Sequence, residues 1–147
     1  MKRIRYVSEF TTELSREEFD ELIEVSAANN RRDGITGVLV ASGKVFFQLI
    51  EGPDEAIDAC YDRILKDPRH TRVHALGVEQ GDLERLCPDW AMNKVDLSRE
   101  AETSFEALRA LLNVISQQRD LIEELTKVLE RVMWRELIEA EQNVTIV

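Results

Sequence analysis

Apolar and polar positions change period several times along the 147-residue chain. From Arg3 to Ser8 they alternate, placing Ile4, Tyr6 and Ser8 on one face of a predicted strand. Ser15 followed by Glu18 forms a capping box, and Phe19, Leu22, Ile23 and Val25 then recur at helical spacing. That helix is expected to run out at Asn29-Asn30, before a turn at Asp33-Gly34. Two nearly continuous apolar runs follow, Ile35–Ala41 and Lys44–Ile50, joined at Ser42-Gly43. They predict a hairpin in a sheet covered on both faces, broken at Glu51-Gly52-Pro53. A second helix is expected from Pro53 to Lys66, with Pro53 in its first turn and Ile57, Tyr61, Ile64 and Leu65 facing inward. Arg72–Gln80 alternates as a strand, and Trp90–Leu97 reads as a short final one.

The order is βαββαβ with one strand added, an α+β pattern matching the ferredoxin-like fold with both helices on one side of the sheet. From Thr103 to Ala140 the chain has no Gly or Pro and carries heptads at Leu108, Leu111, Ile115, Gln118, Ile122, Leu125, Leu129 and Val132. Its first half could lie on the sheet. The heptads outrun any sheet of this size, so the second half is expected to form a coiled coil with a partner helix, as a homodimer. The predicted organisation is a domain over 1–97 and a helical extension over 98–147.

Composition narrows the function. The chain is 44% hydrophobic and 33% charged, with a net charge of −10. So acidic a protein is not expected to bind nucleic acid or an anionic membrane surface. No apolar run approaches the ~18 residues of a membrane span, and the N-terminus lacks a signal-peptide core, so a cytoplasmic protein is expected. Cys60 and Cys87 have no paired spacing, which indicates neither a disulfide framework nor a metal site.

A few polar residues stand where a core should be. Gln48 interrupts the apolar run Val45–Ile50, and a buried amide needs partners. Tyr6, on a strand expected beside it, could meet that need as a purely structural pair. Asn29 and Asn30 could be ordinary helix terminators, or amide groups offered to a ring edge with a carbonyl beside an N–H. Asp67-Pro68-Arg69-His70 could complement the dipole at a helix end, or hold an anionic ligand tail through Arg69.

These residues carry a resemblance. Tyr6-Val7-Ser8, Asn29-Asn30, Asp33-Gly34-Ile35-Thr36-Gly37, Phe47-Gln48-Leu49-Ile50-Glu51-Gly52, Asp67-Pro68-Arg69-His70 and Trp90-Ala91-Met92 resemble the BLUF family, sensors of blue light using FAD. The resemblance implies noncovalent FAD with its ring between Leu22 and Ile64. Asn30 would bond the ring's C4 carbonyl and N3–H. Asn29, Asp67, Arg69 and His70 would approach the rest of the cofactor, with Arg32 and Arg63 as further candidates. Tyr6 and Gln48 would be the photoactive pair, electron donor and hydrogen-bond switch. Ser8, Trp90 and Met92 would carry the signal, although Ala91 stands where the family often has Ser.

The resemblance implies a sensor rather than an enzyme. The helical part is similar to connectors of BLUF proteins that control a nucleotide cyclase, so an effector domain or separate partner is expected outside this chain. The β-prone run Asn143–Val147 is read as the start of such a domain, unless the protein acts alone on a partner. The alternative is a ferredoxin-like ligand-binding or dimerisation domain without photochemistry. An acylphosphatase-like hydrolase is a further rival, poorly served by Arg5 and Asn30.

Overall fold

A computed structural model of the chain describes residues 1–97 and 106–144. Its elements are β1 (Lys2–Phe10), α1 (Arg16–Asp33), β2 (Thr36–Ser42), β3 (Val45–Gly52), α2 (Asp54–Lys66), β4 (His70–Gln80), β5 (Asn93–Asp96) and α3 (Glu106–Val144). The sheet runs β4-β1-β3-β2-β5. β5 is parallel to β2, and the other neighbouring pairs are antiparallel. This is the α+β ferredoxin-like arrangement with an added edge strand.

Even-numbered residues of β1 and β3 face the helices. Phe10 and Phe46 pack with Phe19 and Ile23 of α1, while Ile4, Tyr6 and Ile50 pack with Ile57 of α2. The two clusters lie side by side on one sheet face and leave a cleft between the helices. Val25 and Leu65 were expected inward but are 55% and 50% exposed. Each is rotated well off its helix's buried stripe, Val25 two residues past Ile23 and Leu65 one past Ile64.

Several boundaries differ from expectation. The capping box is present, with Ser15 Oγ accepting from Glu18 N at 3.2 Å and Glu18 accepting from Ser15 N at 2.8 Å. The helix then runs past Asn30 to Asp33, because the left-handed position that ends it falls on Gly34 at φ +69°. Pro53 is the N-cap of α2, just outside its first turn. Glu51 does not break β3 but lies inside it, fully buried. β4 starts at His70, paired with Phe10. Gly37 lets β2 press on β3, since a Cβ there would stand 2.2 Å from Leu49 O.

The expected strand from Trp90 to Leu97 shrinks to Asn93–Asp96. Trp90, Ala91 and Met92 belong to the connection before it, ahead of the ladder with β2, whose first rung is Val38 with Asn93.

The chain divides into two compact units between Leu112 and Asn113. In the first, Arg109 Nη1 donates to Leu97 O at 2.6 Å and Leu112 is buried. In the second, Ile122, Leu125, Leu129 and Val132 stand on α3 at 42–66% exposure. The heptad position Leu108 has a side chain outside the described residues, and the expected domain boundary after Leu97 adjoins residues that also lie outside them. Asn143 and Val144 are helical, not the start of a strand; the remainder of that run is outside the described residues. Among the described residues no helix is long and apolar enough to cross a membrane.

Candidate functional site

Strand register brings the polar core residues together. Tyr6 pairs with Gln48 across the β1–β3 ladder, and both side chains point to the helix side. The Tyr6 hydroxyl donates to Gln48 Oε1. The amide Nε2 of Gln48 then meets Met92 Sδ at 3.5 Å. A thioether is a weak acceptor, so the Gln48 N–H groups are poorly served by the protein itself. Burial of Tyr6 raises its phenol well above the ordinary value, with Cys60 and Tyr61 adding to the effect.

These two residues form the floor of a cavity of about 210 Å³ between α1 and α2. Leu22, Asn29 and Asn30 line it from α1, Cys60 and Ile64 from α2, and Asp67, Arg69 and His70 from the segment that follows. Met92 closes it from the connection to β5. A space below the ~300–1,000 Å³ of a full ligand pocket can take one flat end of a dinucleotide, leaving the tail at the mouth. Asn30 is buried, and its Nδ2 donates to Ala91 O at 2.7 Å.

The mouth carries the charges. Arg69 is held by Asp67, its Nε bonding Oδ1 and Oδ2 at 3.0 and 3.1 Å and its Nη2 reaching Oδ2 at 2.6 Å. These bonds keep the Asp67 carboxyl below its usual range and the Arg69 guanidinium above its own. Arg69 is thus a fixed, half-neutralised cation rather than a free one. Arg63 lies on the lining and reaches Asp33 at 3.4 Å, whereas Arg32 pairs with Asp33 and is not on the lining.

His70 sits deeper, its Nδ1 at 3.0 Å from Ser8 Oγ and its ring edge-on to Phe10. Burial lowers it to about 4 against the pull of the Asp67 carboxylate. Ser8 does not line the cavity itself but bonds His70, which does. Trp90 is also off the lining and 45% exposed, so Met92 is the residue turned to Gln48.

The lining also takes in Phe10, Ile23 and Cys60, which the sequence pattern did not assign to the site. The two-residue period Ile4-Tyr6-Ser8-Phe10 and the one-turn spacing of Cys60 and Ile64 carry that signal.

Residues 1–93 match the family described as sensors of blue light using FAD. The chain belongs to the BLUF family. BLUF domains bind FAD, and residues 1–93 of this chain form a blue-light sensory module. It is 34% identical over 121 residues to photoactivated adenylate cyclase subunit beta of Euglena gracilis, matching 80% of this chain and 14% of that protein. A 54-residue stretch, 37% of this chain, is 37% identical to the blue light- and temperature-regulated antirepressor BluF of Escherichia coli, covering 13% of that protein. Among solved structures, a bacterial light-regulated adenylyl cyclase superposes with a TM-score of 0.78 at 38% identity, covering 84% of this chain and 36% of that one. The dark state of the BLUF protein BlrB gives 0.58 at 30% identity, covering 80% and 96%. The chain therefore spans only about a seventh of the cyclase subunit it resembles.

Proposed function

We propose that Tyr6 and Gln48 are the photoactive pair of this BLUF domain. The observation that carries the reading is the Tyr6 hydroxyl bonded to Gln48 Oε1 on the floor of a cavity that Leu22 and Ile64 flank from the two helices and Asn30 enters from α1. Bound FAD supplies an electron acceptor that absorbs blue light. Leu22 and Ile64 would flank its ring, Asn30 would offer its amide to the ring edge, and Arg69, Asn29, Asp67 and His70 would meet the remainder.

Tyr6 is the electron donor in this reading. Its proton has a ready acceptor in the Gln48 amide oxygen, because the hydrogen bond already exists in the resting protein. Return of the proton with the amide rearranged changes which group Gln48 donates to. Gln48 also touches Met92, so a turned amide alters the segment leading to β5. Signalling is then a population shift of that segment, with nothing consumed.

The exposed heptad face of α3 supports a parallel homodimer, with Gln118 setting register. Through it the sensor would act on an effector domain or separate partner in the cytoplasm; the cyclase relatives favour a nucleotide cyclase as one such effector. The test is the absorption of the purified, FAD-loaded protein under blue light. A reversible red shift that disappears in Tyr6→Phe is expected; an unchanged shift in that variant overturns the assignment.

A further inference from the structure

The connection from β4 to β5 has a demanding path. It leaves one edge of the sheet and reaches the other, four strand spacings or about 19 Å away. Its residues pair with no strand along most of that path, so side chains must hold it. Glu51 does so. It lies three residues after Gln48 on β3 and therefore faces the opposite side of the sheet.

The Glu51 carboxylate is fully buried and its acceptor sites are well used. Oε1 accepts from Cys87 N at 2.6 Å and Oε2 from Leu86 N at 3.1 Å and Arg3 Nε at 2.9 Å. Arg3, also buried, spends its other nitrogens on Glu79 Oε2 at 2.8 Å and Glu84 O at 2.5 Å. Arg85 ties the same connection to Gly34 O at 2.8 Å and Thr36 Oγ1 at 2.7 Å. The two loop N–H groups and Arg3 hold the carboxyl below its usual range despite burial.

Beyond Cys87, five residues lead to β5, starting with Pro88. Their contacts are of a different kind. Trp90 O accepts from Gly37 N, Ala91 O from the cavity residue Asn30, and Met92 Sδ from Gln48. A short arm thus spans a fixed post at Leu86–Cys87 and the start of β5, and its end rests on the switch amide.

We propose that Glu51 is a positioning residue of the light response: it pins the connection at Leu86–Cys87, so that a rearranged Gln48 displaces Met92 and β5 as a unit. Without the post, the change at Gln48 is absorbed by a loose loop. The inference rests on Gln48 being the switch. It assigns a role on the far sheet face to a residue that touches neither the cavity nor the pair.

The test uses the FAD-loaded full chain with ¹³C-methyl methionine; Met1, Met92 and Met133 give three signals, and Met92→Leu identifies the middle one. Glu51→Gln keeps the shape but turns a donor toward groups that donate already. Expected is a flavin red shift of wild-type size, with the Met92 methyl split or broadened in the dark and its light-induced displacement at least halved. A Met92 signal identical to wild type in dark and light overturns the proposal. Should Glu51→Gln lose the fold, Arg85→Met, at the outer tie of the same connection, decides by the same readout. A full red shift in Gln48→Leu removes the switch itself, and this inference with it.

Discussion

Tyr6 and Gln48 occupy directly opposed positions on adjacent antiparallel strands, and the phenol of one donates to the amide oxygen of the other. Both are nearly inaccessible, at 1% and 8% exposure. Neither side chain needs to move to begin a proton exchange, which suits a response triggered by light rather than by diffusion.

Tyr6→Phe removes the proposed electron donor's hydroxyl but keeps the ring that packs against Ile4, Ile50 and Tyr61. The variant should retain FAD and show no red-shifted state under blue light. It should lose about 1 kcal/mol of stability, since one buried hydrogen bond goes and Gln48 Oε1 is left without its donor. Absorption spectra under illumination and thermal unfolding check the two parts separately.

Gln48→Leu roughly keeps the volume and deletes the proposed switch amide. The flavin should still be excited, and Tyr6 should still be buried beside it, but no stable shifted spectrum should accumulate. The contact with Met92 also goes. The measurement is again the light-minus-dark spectrum, which should be flat in the red-shift region.

Asn30→Ala tests the hold on the cofactor. Asn30 is 3% exposed and bonds Ala91 O, so its amide is fixed before any ligand arrives. Loss of one or two hydrogen bonds to the ring edge should weaken FAD binding roughly 5- to 10-fold, near 1 kcal/mol. Fluorescence titration of the apoprotein with FAD measures it, and an unaltered affinity would remove Asn30 from the binding set.

Much of this site follows from period and order. Once Tyr6 and Gln48 are placed on the first and third strands of a βαββαβ chain, their adjacency is set by topology, and the alternation puts them on one face. The features that escape are those decided by local geometry. Asn30 reads as a helix end, yet Gly34 holds the left-handed position and leaves Asn30 inside α1 facing the cavity. Arg69 reads as an anion grip, and its clasp by Asp67 two residues away is a pairing that the helix-end pattern does not announce. Glu51 reads as a strand breaker because a lone charge suits a turn. Its partner Arg3 lies 48 residues earlier in the chain, a distance no periodicity spans.

His70 gives a pH prediction. Its folded value is about 4, against an ordinary 6.5, because burial disfavours the charged ring beside Phe10. Between those values the unfolded chain binds the proton and the folded chain does not, so stability rises with pH across the window. The contribution is present above pH 6.5 and is lost as pH falls toward 4. Asp67 opposes the shift and Arg69 adds to it, so the net direction already includes both neighbours. Thermal midpoints should fall between those limits, and His70→Gln should flatten that part of the curve.

The helical extension makes its own prediction. Leu125 is 59% exposed on α3, and Ile122 and Leu129, a turn to either side, are 51% and 66% exposed. Isolated apolar side chains are common on surfaces, but a run at heptad spacing over several turns is the seam of a coiled coil. A carboxylate at Leu125 would enter the seam twice in a symmetric dimer, once from each copy. Burying two like charges there costs far more than the leucine contacts they replace. Leu125→Glu should therefore be monomeric in sedimentation at micromolar concentration, where the parent chain is expected to be a dimer. Its flavin spectrum and red shift should be unchanged, because Tyr6, Gln48 and Asn30 all belong to the other compact unit. A dimer that persists in this variant would place the interface elsewhere and leave the heptads of α3 to an effector.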